Sequence, residues 1–316
     1  MNLLYDVMPY ATMFTGPLVL AALGGLVCER SGVVNIALEG LMVFGGFICA
    51  IFIHTFYDSL GYPAVWLGIL TAGIATAIFS LLHAYASIDL GANQVISGTA
   101  INLIAPAITI FLSRLWTGTQ NIAIVQGVKR NNIPVLSEIP VIGPMFFKGF
   151  YITTLFIIFI TIVVWYWIFQ TKGGLRLRAC GENPHAADSL GISVRKMRYI
   201  GVVTSGLLTG LSGAVFITVV SLEFSGTVAG LGFLSLGALI FGKWKPFSVL
   251  GATFFFGFAK TLGEVARVND TLKALSLPPE LYNALPYILT IVALVLFSSN
   301  NVGPKAVGEP YDVEQR

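Results

Sequence analysis

The chain has 316 residues, of which 56% are hydrophobic and only 10% charged, with a net charge of +3 and a mean hydropathy of +0.83. Soluble domains carry roughly a quarter charged residues, so this composition excludes an ordinary water-soluble globule and makes lipid the expected solvent. Cys28, Cys49 and Cys180, like His54, His83 and His185, are dispersed, which argues against a disulfide framework, a zinc site or a metal cluster.

A helix needs about 20 mostly apolar residues to cross a bilayer, because its backbone groups must be satisfied internally. On that basis membrane segments are expected over residues 9–27, 33–53, 63–86, 94–113, 150–170, 198–220, 231–242, 246–266 and 282–299. No basic region precedes the first, so it reads as a retained helix and not a cleaved signal. The first two flank "CERSGVVNIALEGLMVFGGF", residues 28–47. Glu29 and Arg30 suit a short turn. Asn35 and Glu39 lie four apart, on one helix face, and Glu39 sits about two turns into the next span. An ionisable residue at that depth is a functional candidate, lining an aqueous cavity or tying a broken helix together.

The stretch "GANQVISGTAINLIAP", residues 91–106, brings Asn93, Gln94, Ser97, Thr99 and Asn102 to the start of a span. Positions 94, 97, 98, 101 and 102 share one helical face. A translocation pathway and interhelical hydrogen bonding explain them equally well. Residues 114–149 then form a connection longer than a helix turn needs. Pro134, Pro140 and Pro144 keep it from becoming a long helix, and it is expected either to cap the bundle or to dock an external partner.

After "WYW" at 165–167, an aromatic belt, comes "TKGGLRLRACGENPHAADSLGISVRKMR" at 171–198, with six of the 18 basic residues. The positive-inside rule places this loop in the cytoplasm, residues 114–149 outside, the N-terminus outside and the C-terminus inside. Within it, Asn183 suits an N-cap, Pro184 the first helical position and Gly191 the stop. The resulting two-turn helix is marginal alone in water. Ala186, Ala187 and Leu190 are expected to give it a small apolar face for a protein groove.

In 198–220, "GLLTG" at 206–210 is a small-xxx-small face for packing within the subunit or against a second one. Glu223, in "SLEFSG", falls at an outer helix end. Segment 231–242 is too short to cross and reads as a half-helix. Its end, "GALIFGKW", matches a phosphate loop except at Trp244, where the Mg²⁺-binding hydroxyl belongs; no nucleotide site is expected there.

Together these readings give an all-α polytopic membrane helix bundle of about eight full spans plus a short half-helix, in one domain over 1–316. They leave open an ion-coupled secondary transporter with Glu39 as a proton site.

The stretches "LGGLVCERSGVVNIALEGLMVFGGF", "GANQVISGTAINLIA", "IPVLSEIPVIGP" and "LRACGENPHAADSLGISV" resemble permease subunits of bacterial ABC importers for nucleosides, within the ribose and branched-chain amino-acid permease family. The likeness runs from about residue 15 to 300. It implies the shorter of two homologous permease partners in the bacterial plasma membrane, a cytoplasmic ABC ATPase that binds ATP and Mg²⁺, an external substrate-binding lipoprotein and a nucleoside substrate. It implies no cofactor in this chain and no nucleic-acid partner. A pentose or another small polar solute is the alternative cargo. It further implies that Asn183, Pro184, His185, Ala186, Ala187, Asp188, Leu190 and Gly191 form a coupling helix to the ATPase. Asn35, Glu39, Asn93, Gln94, Ser97, Asn102 and Glu223 are then the pathway candidates.

Overall fold

The computed structural model describes residues 2–140, 142–266 and 303–311, together with seven helical residues between 281 and 295. Helix α1 (Asn2–Arg30) leads through a non-helical stretch into α2 (Leu38–Leu60). Helix α3 (Pro63–Phe79) continues after Ser80 as α4 (Leu81–Ala84) and one wider turn to Asp89. Then follow α5 (Gln94–Thr117), α6 (Ile152–Gln170), α7 (Lys172–Glu182), α8 (Pro184–Ser189), α9 (Val194–Val215, extended by a wider turn to Ser221), α10 (Leu231–Phe241) and α11 (Pro246–Ala266).

Among the described residues, six helical stretches are long and apolar enough to cross a membrane: Val7–Arg30, Leu38–Leu60, Pro63–Asp89, Gln94–Thr117, Ile152–Gln170 and Val194–Ser221. The 21 residues of α11 stand apart from these six; Lys260 and Glu264 sit one turn apart on it, 3.5 Å from each other. The segment expected over 282–299 lies mostly outside the described residues. Among the described residues, four two-residue strands qualify the all-α expectation. Strand β1 (Ile122–Ala123) pairs antiparallel with β4 (Glu223–Phe224), and β2 (Arg130–Asn131) with β3 (Phe150–Tyr151). The first pair stitches the long 114–149 connection to the far end of α9, and the second ties it to the start of α6.

Two expectations change. The span expected from residue 33 begins only at Leu38, because the Asn35 side chain accepts from the Ala37 backbone N–H at 3.1 Å and so competes with the helical pattern. The basic loop, in which the sequence marks only the helix after Asn183, also contains the 11-residue α7. Gly173 and Gly174 disfavour a helix by propensity. Thr171 nevertheless caps it, accepting from Gly174 N–H at 3.1 Å, and a side chain at Gly174 would collide with the end of α6. Close packing between the two helices outweighs propensity here.

Helix α9 is the hub. Most of its residues are buried, with α1, α2 and α3 against it. A Cβ at Gly210 would come 2.6 Å from Thr76 Cβ on α3, and one at Gly45 of α2 would come 2.5 Å from the Gly210 carbonyl oxygen. The small-residue face therefore serves packing inside the subunit. Ser212 Oγ also donates to the Pro17 carbonyl of α1 at 2.5 Å. Gly213→Val, which would drive a side chain into the Met42 carbonyl, is expected to abolish recovery of monodisperse protein in detergent. Gly251→Val, with nothing within 4 Å of its Cβ, is expected to leave recovery unchanged; size-exclusion profiles of both variants check this.

Candidate functional site

Between α1 and α2 the chain leaves the helix at Ser31 and resumes it at Leu38. Val33, Asn35 and Ala37 are buried, so their backbone groups lack water and need partners from protein. Each such group left unsatisfied costs about 1–3 kcal/mol. Those partners come chiefly from α4 and α5. Val34 N–H donates to Gln94 Oε1 at 2.7 Å. His83 Nε2 lies 3.0 Å from the Val34 carbonyl and its Nδ1 3.0 Å from Ser97 Oγ. A carbonyl only accepts, so Nε2 carries the proton of the neutral ring and Nδ1 accepts from the serine. Asn102 bridges the segment and α2: its Nδ2 donates to the Ile36 carbonyl at 2.8 Å, and its Oδ1 accepts from Gly40 N–H at 2.7 Å. Gly98 completes this face, with Ala37 N and Ile36 Cβ 3.2 and 3.4 Å from the site of a Cβ.

Asn35 is fully buried and anchors the segment to the hub, donating from Nδ2 to Ser205 Oγ at 2.8 Å. Glu39 holds a second break. Its Oε1 accepts from Gly230 N–H at 3.0 Å and its Oε2 from Gly232 N–H at 2.7 Å. Gly230, at φ +76, is the N-cap of α10, so the carboxylate sits on the exposed N–H groups that open the half-helix, where the helix dipole favours negative charge. The backbone of α10 approaches closely enough that a Cβ on Gly232 would strike Glu39 itself. Of the two roles open to Glu39 from its position, the one this geometry displays is tying a broken helix.

Asn35, Glu39, Gln94, Ser97 and Asn102 thus gather around one irregular segment. Asn93 and Glu223 do not join them. Asn93 is exposed and caps α5, accepting from Val95 and Ile96 N–H at 2.9 and 3.1 Å. Glu223 lies on β4 and accepts from Asn121 Nδ2 at 2.6 Å. His83 belongs to the cluster but was not singled out in the sequence; the signal available was a histidine inside an apolar run. Trp244, noted only as a misfit to the phosphate loop, also has a structural use. Its indole N–H donates to Glu29 Oε2 at 2.6 Å, and its carbonyl accepts from Arg30 Nη2 at 3.0 Å. The end of α10 is thereby fastened to the end of α1.

Around 183–191 the caps fall where the sequence puts them. Asn183 Oδ1 accepts from Ala186 N–H at 3.0 Å, Pro184 opens α8 and Gly191 follows it at φ +77. The expected groove-facing surface needs correction. Ala187 is 2% exposed, packed with Cys180 and Val194 inside this chain, because the helix turns that side toward α7 and α9. His185, Ala186, Ser189 and Leu190 face outward, with Leu190 81% exposed.

The model of the family described as "Branched-chain amino acid transport system / permease component" matches residues 8–294. The chain belongs to this permease family. It is 44% identical over 98% of its length to the guanosine ABC transporter permease protein NupQ of Bacillus subtilis, covering 97% of that protein. It is 39% identical to the nucleoside ABC transporter permease protein NupC of Lactococcus lactis, over 98% of both chains. NupP of Bacillus subtilis, also a guanosine ABC transporter permease protein, is 24% identical over 90% of this chain and 78% of its own. Within a multi-pass permease, the interrupted segment and the start of the half-helix are two breaks, each held by side chains from another helix.

Asn102→Leu leaves the Ile36 carbonyl and Gly40 N–H unpartnered, and is expected to lower Tm by about 5 °C, from a loss of roughly 3 kcal/mol. Glu39→Leu is expected to match it, and Glu39→Gln, which keeps one acceptor, to fall between Leu and wild type. Differential scanning fluorimetry of the purified protein checks the order.

Proposed function

We propose that this chain is one of two homologous membrane subunits of an ATP-driven importer for nucleosides. The carrying observation is the likeness at 44% and 39% identity, across nearly whole chains, to permeases named for guanosine and nucleosides. The weaker likeness to NupP supports a second, related permease as partner. A cytoplasmic ABC ATPase binds ATP and Mg²⁺ and does the hydrolysis, and an external binding protein delivers the substrate. The orientation follows the basic loop: residues 171–198 face the cytoplasm, 114–149 face outward, the N-terminus is outside and the C-terminus inside. On this reading all nine apolar segments change side: eight full spans, counting α11 and 282–299, and the half-helix α10.

Helix α8 is then the coupling helix, entering a groove of the ATPase through His185, Ala186, Ser189 and Leu190. A helix this short gains its stability from packing, and that surface is what it leaves to a partner. The pathway candidates take a hinge role. Gln94, Ser97, His83, Asn102 and Glu39 hold the two helix breaks while neighbouring helices change their tilt, and the cargo passes alongside them. That Glu39 accepts from two backbone N–H groups supports this role over that of a proton site.

Competition among purine and pyrimidine nucleosides for uptake by cells carrying the whole system tests the cargo; uptake that no nucleoside inhibits would sink it. Leu190→Asp is expected to reduce co-purification of the ATPase and to cut uptake more than tenfold with the membrane fold intact. Wild-type uptake by that variant would remove α8 from the interface. The native cysteines are buried, and burial pushes the Cys180 thiol up to about 11, so they are expected to react little. Cysteines placed at Asn132 and Ser193 therefore report sidedness to an impermeant maleimide. Labelling at 132 alone in intact cells is expected; labelling at 193 alone would invert the topology.

A further inference from the structure

Residues 303–311 lie on the face of the bundle where α1 ends and α8 sits, and they touch α7, α8, α9, the Gly32 turn and Trp244 there. Ala306 N–H donates to the Gly181 carbonyl near the end of α7 at 2.9 Å, and Gly308 N–H donates to the Gly32 carbonyl, at the turn that opens the interrupted segment, at 3.2 Å. Pro304 and Ala306 are buried. Gly303 lies on the Trp244 ring, its Cβ position 3.2 Å from the indole edge. The Tyr311 ring packs against the Cys180, Ala187 and Val194 cluster, 5.2 Å from the His185 ring of α8, with the Arg198 guanidinium 6.0 Å from its centre.

Arg198 sharpens the point. It is 1% exposed, and its Nε and Nη2 have no hydrogen-bond partner among the described residues. Its Nη2 lies 3.2 Å from where a Cβ on Gly32 would be. A charge so enclosed gains from an aromatic face, and a cation–π contact is stronger when desolvated. The tail supplies that face.

We propose that the 303–311 tail is a coupling strap and that Tyr311 is its positioning residue, setting the orientation of α8 relative to the interrupted segment. The connection is short. From α8 it runs through the Tyr311 ring to the strap, and from the strap through Gly308 to Gly32. The segment beyond Gly32 is the one held by Gln94, His83 and Asn102. Gly308 is suited to its place: it sits at φ +87, 3.3 Å from Val34 Cγ2 at its Cβ position, where another residue would be strained and crowded. Displacing α8 by its partner therefore pulls on two backbone hydrogen bonds that end at α7 and at the helix break. This inference rests on the importer reading and adds an element to its transmission.

The test compares Tyr311→Leu with Tyr311→Phe in the complete complex reconstituted with its ATPase and binding protein. Both substitutions keep an apolar side chain in the cluster, and only phenylalanine keeps a ring opposite His185 and Arg198. Tyr311→Leu is expected to retain assembly, Tm and basal ATP hydrolysis, to lose at least tenfold in uptake, and to raise the ATP consumed per substrate moved; Tyr311→Phe is expected to restore uptake to within about twofold. Wild-type coupling in Tyr311→Leu, or equal loss in both variants, would overturn the role of the ring. Should Tyr311→Leu fail to assemble, hydrogen exchange on the wild-type complex decides: protection at 303–311 is expected to change together with 181–191 on adding a non-hydrolysable ATP analogue, and an unchanged tail would overturn the strap. A wild-type complex whose ATP hydrolysis ignores substrate would instead defeat the importer reading itself.

Discussion

Everything near the candidate site depends on one constraint: a backbone that leaves the helix inside a membrane protein must find its hydrogen bonds in other protein groups. Seven residues, 31–37, separate α1 from α2, and lipid offers their N–H and C=O groups nothing. The α5 face carrying Gln94, Ser97, Gly98, Ile101 and Asn102 exists to meet that need. Amides serve better than hydroxyls here, since one amide both donates and accepts. Asn102 uses this by binding the Ile36 carbonyl and Gly40 N–H together. The same constraint sets Glu39 against the open start of α10. An amide there would turn its NH₂ toward one of two N–H donors, whereas a carboxylate accepts from both and complements the helix dipole.

Much of this was legible in the sequence, because polar residues inside apolar runs are expensive and therefore informative. The pair Asn35 and Glu39, the periodic polar face at 94–102, the half-helix and the caps at Asn183 and Gly191 all announced themselves through spacing. What spacing could not supply was direction. Ala187 and Leu190 occupy neighbouring positions on a helix wheel, yet one is packed inside the chain and the other is 81% exposed. That difference comes from how α7 presents Cys180 to α8, and α7 was obscured by two glycines whose helical cost is offset only by contact with α6. His83 was missed for a related reason: a lone histidine gains meaning from Val34 and Ser97, which lie 49 and 14 residues away.

The two breaks share a design. In each, a rigid helix lends side chains to an irregular stretch of a different one, so the break is held in one arrangement. Small residues allow the approach. Gly98 lets α5 lie against Ala37, and Gly232 lets α10 lie against Glu39. Such interfaces suit a hinge, since hydrogen bonds to the backbone fix position without filling the space a tilting helix would need.

The chain ends of α1 and α10 show how the breaks are joined. Trp244 binds Glu29 through its indole N–H and Arg30 through its carbonyl, so the half-helix that Glu39 holds at one end is held at the other beside the turn preceding Val33. A movement of α1 that shifts Arg30 must carry α10 with it, and α10 bears on Glu39 in α2. Helices α1, α2 and α10 therefore form a closed loop of contacts around the interrupted segment. A displacement entering on that loop, from Gly32 or from Trp244, bears on both breaks, which suits the hinge role proposed for them.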